Sequence, residues 1–321
     1  MELIQVNDLR KNYGEFPAVK GVTFSVNEGE IFGFLGPNGA GKTTVINMLT
    51  GLARITSGRA EISGYDCAKE IKQIQALIGI VPDESNLYDE YTGYKNLCFC
   101  AALYGMEKAE REARARLLLE QFGLAEAGKK LFKSYSKGMK RKLTIAAGII
   151  HEPKILFLDE PTTGIDVASA RQIRKMLKEL NRKGTTIFLT THYIEEAERL
   201  CDRVAFIVDG RIVRSGTIDE YLTDVQHEYI VQFSVQNAPD GIAGKVEAKF
   251  PGIRAEASNS SQVRVVATFQ PDLIPFMQYF SELGVTVYEA KIIKPSLEEV
   301  FVRVTGIGLE KMKAERERGK K

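Results

Sequence analysis

The run Gly36, Pro37, Asn38, Gly39, Ala40, Gly41, Lys42 and Thr43, continued by Thr44, sets three glycines, a lysine and two hydroxyls within nine residues. It matches the pattern G-x-x-x-x-G-K-[ST] in full. Glycines let a backbone curl tightly enough for successive N–H groups to converge on one anion. A helix that starts where the curl ends turns its positive dipole end to the same charge. In such a loop Lys42 reaches the outer phosphates of a nucleoside triphosphate, and Thr43 offers its hydroxyl to Mg²⁺. A second candidate is ILFLDE, residues 155–160. Four apolar residues ending in an acid place Asp159 at the C-terminal tip of a buried strand, where parallel α/β sheets hold ligands. Asp159 is then positioned for Mg²⁺, and Glu160 for polarising an attacking water as general base. The expected cofactors are ATP and Mg²⁺, and the expected reaction is hydrolysis.

The elements that must carry these residues read as an α/β fold. GEIFGFLG is a compact apolar run entering the Gly-rich turn. TTVINMLTGL follows as a helix, with Val45, Met48, Leu49 and Leu52 at helical spacing. KILFLDEP and TTIFLTTH read as short strands. VASARQIRKMLKELNRKG puts Ile173, Met176, Leu177 and Leu180 on one stripe and stops at Gly184. Strands alternating with helices predict a mainly parallel sheet. Between about Asp83 and Ile150 the strand signal disappears, which predicts a helical insert. After Gly216, EYIVQFSV, GIRAEAS, VRVVATF and VTVYEAKI read as strands, with helices near 239–249 and at PDLIPFMQYFSELG, whose Leu273, Phe276, Met277 and Phe280 share a face. The order β-α-β-β-α-β predicts a small ferredoxin-like α+β domain. A last helix begins at PSLEEVF, where Ser296 and Glu299 have capping-box spacing. The expected organisation is residues 1–218 as the nucleotide-binding domain, its helical subdomain at about 84–150, residues 225–305 as an accessory domain, and 306–321 as a basic, solvated tail.

Composition narrows the function. The chain has 321 residues, 44% hydrophobic and 27% charged, with a net charge of +2. That balance argues against a strongly basic nucleic-acid binder, and no nucleic-acid partner is expected. No stretch approaches the roughly eighteen consecutive apolar residues of a membrane span. MELIQVNDLRKNYG carries no apolar core of a signal peptide, so a cytoplasmic chain is expected. The four cysteines (Cys67, Cys98, Cys100, Cys201) form no CxxC pair and read as small buried apolar residues.

Further motifs resemble one family. YSKGMKRKL, residues 135–143, is similar to the signature motif of ABC-type ATPases, usually written LSGGQ. Ser136 and Gly138 match it, while Tyr135, Lys137 and Met139 depart from it. A Ser cap and a close-approach Gly at a helix N-terminus still make an anion site there. PTTGID resembles the family's D-loop, with Asp166 as its acid. LTTHYIEEAERLCDR resembles its switch region, with His192 at the strand end facing the γ-phosphate. Tyr13 occupies the position where the family stacks an aromatic ring on adenine. In IGIVPDES the family usually has Gln after the proline. Here the residue is Asp83, an acid able to ligate Mg²⁺ that adds negative charge beside the γ-phosphate.

The resemblance implies a head-to-tail pair with two ATPs at the interface, the signature helix of one copy facing the phosphate loop of the other. It also implies separately encoded permease subunits docked on the helical insert, where Tyr88, Tyr91 and Tyr94 would present exposed aromatic surface, and peripheral attachment to the cytoplasmic face of the membrane. THYIEEAERLCDRV, DGRIVRSGT and PSLEEVFVRVTG look most like ATPases of ABC-2-type exporters for drugs, antibiotics or polysaccharides. The alternative is a non-transport ABC ATPase acting on DNA, ribosomes or cluster assembly. Against it stand the lack of a long coiled-coil insert, of a zinc-like cysteine pattern and of a second cassette. A hydrolysis-dead binding module is disfavoured because Lys42, Thr43, Asp159, Glu160 and His192 are all present.

Overall fold

The computed structural model describes residues 1–223, 229–259, 261–293 and 296–307. The basic tail expected at 306–321 therefore lies almost wholly outside the described residues. Chain contacts separate two compact units, Met1–Thr217 and Ile218–Ile307.

The first unit runs β1 (Glu2–Tyr13), β2 (Phe16–Asn27), β3 (Ile31–Leu35), α1 (Lys42–Leu49), β4 (Ser57–Ile62), β5 (Tyr65–Asp66), α2 (Ile71–Leu77) and β6 (Ile78–Val81). It continues through α3 (Gly93–Leu103), α4 (Lys108–Gln121), α5 (Lys137–Gly148), β7 (Ile155–Asp159), α6 (Val167–Arg182), β8 (Thr186–Thr191), α7 (Ile194–Leu200), β9 (Arg203–Val208) and β10 (Arg211–Thr217). The central sheet has the order β10-β9-β3-β8-β7-β6, and every pairing in it is parallel except β10 with β9. β3, β7 and β8 are buried at every position, as strands covered on both faces must be.

A second, antiparallel sheet, β2-β1-β4-β5, is not announced by the sequence pattern. Its long strands carry register shifts between Val6 and Leu9 and again at Asn12, which break the alternation that period-two reading needs. Phe24 of β2 packs its ring on Phe32, Phe34 and Phe188 of the parallel sheet, at centroid distances of 5.6, 4.9 and 5.9 Å. This aromatic cluster joins the two sheets into one core and fixes β3 and β8, the strands that lead into the candidate site.

The helical insert is α3, α4 and α5 with two short 3-10 turns between the last two. Thr92 caps α3 by accepting the Lys95 N–H. The buried Asn96 side chain takes the Tyr88 N–H and donates to the Tyr88 carbonyl, which pins the loop ahead of the helix. Tyr88 and Tyr91 are exposed and cluster with Phe99. Tyr94 differs from the expectation: it is half-buried, with Arg116 over its ring and donating to its hydroxyl. Leu52 differs too. α1 ends at Leu49, Gly51 turns the chain at φ 80°, and Leu52 is left exposed.

The second unit is α8 (Ile218–Thr223), β11 (Tyr229–Gln236), α9 (Ile242–Lys249), β12 (Ile253–Asn259), β13 (Gln262–Ala267), α10 (Leu273–Glu282), β14 (Thr286–Ile293) and α11 (Leu297–Thr305). Its antiparallel sheet has the order β12-β13-β11-β14, the ferredoxin-like arrangement, over a core that includes Phe233, Val246, Phe276 and Phe280. Met277 is exposed, off the buried face of α10. The capping box at Ser296 does not form: Ser296 precedes α11 without a side-chain cap, and the Glu299 carboxylate is taken by Arg264 of β13. An ion pair with a half-enclosed guanidinium outcompetes a local reach back to a backbone N–H. All four cysteines are free thiols, Cys67 and Cys201 buried.

Candidate active site

The C-terminal ends of three adjacent strands meet in register. Leu35 of β3 lies opposite Thr191 of β8, and Asp159 of β7 opposite Thr190 of β8. Gly36, Glu160 and His192 are the residues immediately beyond those ends. Sheet order therefore gathers residues from positions 36, 160 and 192 at one edge.

The phosphate loop leaves β3 at Gly36, whose N–H donates to the Thr191 carbonyl at 3.3 Å. A Cβ at Gly36 would meet the Ile207 carbonyl oxygen at 2.1 Å, so the first glycine is required for close approach. Gly41, at φ 99°, caps α1 in the left-handed region, where a side chain is strained. Val45 is the first α1 residue to bond back, to the Gly41 carbonyl at 3.0 Å. The N–H groups of Lys42, Thr43 and Thr44 thus point out of the helix end, as an anion cradle needs. Asn38 and Gly39 are exposed at the loop tip; Ala40 is buried beneath it.

Lys42 is buried, and its Nζ donates to the carbonyls of Gly36 at 2.8 Å and Pro37 at 3.1 Å while pairing with Glu160 Oε1 at 3.3 Å. Thr43 Oγ1 donates to Asp159 Oδ2 at 2.7 Å, and Thr190 Oγ1 donates to the other Asp159 oxygen. Glu160 has φ 48°, uncommon for a residue with a side chain, and its N–H is held by the Thr190 carbonyl and hydroxyl. Its Oε2 accepts from Thr163 Oγ1 at 3.0 Å and lies 2.8 Å from His192 Nδ1. Burial pushes the Glu160 carboxyl up. The His192 hydrogen bond, the Lys42 charge and the Thr163 hydroxyl outweigh burial and hold it down at about 2. Lys42, Thr43, Asp159, Glu160 and His192 form one connected cluster.

The other residues singled out in the sequence lie around it. Asp83 is on the exposed loop after β6. Its carboxyl is pushed above the usual range by partial enclosure and by the Glu160, Asp159 and Glu84 charges, against the pull of Arg141. Tyr13 is exposed at the end of β1 with Lys11 over its ring. Ser136 caps α5 by accepting the Met139 N–H, and Asp166 caps α6 by accepting the Ser169 N–H. A Cβ at Gly138 would meet Ser169 Oγ at 2.5 Å, so the signature glycine lets the starts of α5 and α6 touch.

Two residues were not singled out from the sequence. Arg141, buried on α5, donates to the carbonyls of Pro82, Asp83, Asp159 and Pro161. Glu196, buried on α7, accepts from Thr162 Oγ1 at 2.6 Å and Thr191 Oγ1 at 2.7 Å. Burial raises its pKa, against those two hydroxyls.

The site fits the groups its motif implies. The curled loop with outward N–H groups and a buried lysine suits a triphosphate. Among the described residues no three His, Cys, Asp or Glu side chains make a metal site on their own. The oxygens of Thr43 and Asp159 suit Mg²⁺ that keeps waters and takes its remaining ligands from phosphate.

The ABC transporter family profile matches residues 19–163, from β2 through the strand that carries Asp159 and on to Thr163. The linearmycin resistance ATP-binding protein LnrL of Bacillus subtilis is 35% identical over 313 residues, covering 95% of this chain and 98% of that protein. This chain belongs to the ABC transporter family. It is an ATPase of that family. A fluoroquinolones export ATP-binding protein of Mycobacterium tuberculosis is 45% identical over 214 residues, 66% of this chain and 70% of that one. The dimeric, post-hydrolysis structure of an ATP-binding cassette with ADP and Pi superimposes with a TM-score of 0.62 at 27% identity, covering 67% of this chain and 98% of that chain. No helix among the described residues is long and apolar enough to cross a membrane.

Proposed function

We propose that this ABC ATPase works as a head-to-tail pair of copies that hydrolyses MgATP to drive export of antibiotic-like molecules through separate permease subunits at the cytoplasmic face of a membrane. The observation that carries the reading is the joined cluster of Lys42, Thr43, Asp159, Glu160 and His192 at the sheet edge. The loop from Gly36 to Thr44 binds the phosphates, and Lys42 exchanges its Glu160 partner for phosphate oxygens. Thr43 and Asp159 hold Mg²⁺, with Asp83 as a further oxygen donor. Glu160 takes the proton of the attacking water, and His192 orients Glu160 and the γ-phosphate. Tyr13 stacks on adenine. Ser136, Gly138 and Asp166 face the ATP held by the second copy, which makes both sites equivalent in a homodimer.

The cargo class is supported by similarity that extends through the C-terminal unit to the resistance ATPase of Bacillus subtilis. The helical insert, with Tyr88, Tyr91 and Phe99 grouped at its surface, has the aromatic character of an interface core and is assigned to the permease. The head-to-tail pair is tested by light scattering on Glu160→Gln, which should bind ATP but hydrolyse it poorly. Saturating MgATP should double its mass, and a monomer under those conditions would overturn the head-to-tail pair.

A further inference from the structure

We propose that Arg141 is a positioning residue for hydrolysis: it grips the backbone on both sides of Glu160 and ties that residue to the signature helix. Arg141 lies on α5, five residues after the Ser136 cap, and is 7% exposed. Its Nε donates to the Pro161 carbonyl at 3.0 Å, and one terminal nitrogen donates to the Asp159 carbonyl. Those carbonyls flank Glu160. The other terminal nitrogen donates to the carbonyls of Pro82 and Asp83, at the exit of β6. Although Asp83, Asp159, Glu196 and Glu160 all lie close enough to act on its charge, the guanidinium makes no ion pair with a side chain among the described residues. Its planar fork is spent on backbone carbonyls of two separate loops.

That use of an arginine has a geometric consequence. Glu160 sits at φ 48°, a conformation that persists only where its surroundings over-determine it. Thr190 holds the Glu160 N–H, and Arg141 holds the carbonyls before and after it. Together they fix the direction in which the carboxylate leaves the backbone, toward Lys42 and His192. The same side chain joins α5, which Ser136 caps, to the Asp83 loop that leads into the helical insert. A shift of the signature helix is thereby passed to the carboxylate. A lysine brings one point charge on a flexible stem and cannot span these carbonyls in a fixed plane. The proposal rests on the reading of Glu160 as the group that activates water.

The test uses the full chain carrying Arg141→Lys or Arg141→Gln, each alone and Arg141→Gln also combined with Glu160→Gln. Thermal melting, binding of a non-hydrolysable ATP analogue with Mg²⁺, and steady-state turnover are measured. Both single variants should fold and bind the analogue within about threefold of the unaltered chain, while kcat falls by about 30-fold in each. On the Glu160→Gln background, Arg141→Gln should slow turnover by no more than about twofold, because it acts through the residue already changed. Repetition of the full loss on that background would overturn the proposal, as would rescue by lysine. Failure of both single variants to fold would also overturn it, since Arg141 would then be a folding requirement rather than a positioning group. Near-native turnover by Glu160→Gln alone would instead overturn the reading of Glu160.

Discussion

Glu160→Gln separates two jobs that the geometry assigns to one carboxylate. Held at about 2, Glu160 is ionised at neutral pH, with Lys42 Nζ 3.3 Å from Oε1. At an effective dielectric constant of about 20 that attraction amounts to about 5 kcal/mol, most of which is returned as solvation when the pair separates. Phosphate oxygens must win Lys42 from Glu160, so the carboxylate opposes ATP binding even as it serves the chemistry. Glutamine keeps the size and removes the charge. Binding of MgATP should tighten about three- to tenfold, an energy of about 1 kcal/mol that survives that cancellation. Turnover should fall about 100- to 10,000-fold, the usual worth of a positioned general base. Calorimetric titration and a phosphate-release assay at pH 7.5 give both numbers on one preparation. Weaker ATP binding would refute the competition for Lys42. A loss of turnover below tenfold would refute the role of Glu160 as base.

Asp83→Gln should leave ATP affinity within about threefold and change stimulation of turnover by the permease. A tenfold loss of affinity with stimulation intact would mean that Asp83 serves nucleotide binding alone. Phe188→Ala, which hollows the aromatic cluster joining the two sheets of the first unit, should cost about 3–5 kcal/mol in urea unfolding. A cost under about 1 kcal/mol would show that the cluster does not join them. Glu196 has its carboxyl raised by burial, so its contribution to stability is present at acid pH and lost as pH rises through the folded-state value. Glu196→Gln should therefore gain on the unaltered chain in urea midpoint between pH 5 and 8; a gap that does not change with pH would contradict this.

Much of the site was legible because its chemistry is local. The loop from Gly36 to Thr43 needs only consecutive residues to curl and to start a helix, and Asp159 needs only the apolar run before it. The long β1–β2 pair was not legible. Its bulges interrupt alternation, and its partner β4 lies about fifty residues along the chain. Arg141 is a harder case. In the sequence it is one cation in a basic helix, and its role exists only because Pro82, Asp159 and Pro161 are folded around it. Glu196 was hidden in the same way, since the hydroxyl of Thr162, on the loop after β7, reaches it only through the fold. At Ser296 local spacing misled: the acid that would have closed a capping box faces Arg264 on a neighbouring strand. Where a side chain's partner is near in sequence the pattern shows it, and where the partner arrives through the fold it does not.

What the ATPase is attached to decides most directly whether it drives export. Tagged Glu160→Gln protein, loaded with MgATP and recovered from detergent-solubilised native membranes, should bring down a polytopic membrane protein in stoichiometric amount. Recovery of soluble protein, ribosomes or nucleic acid with no membrane partner would contradict the exporter reading.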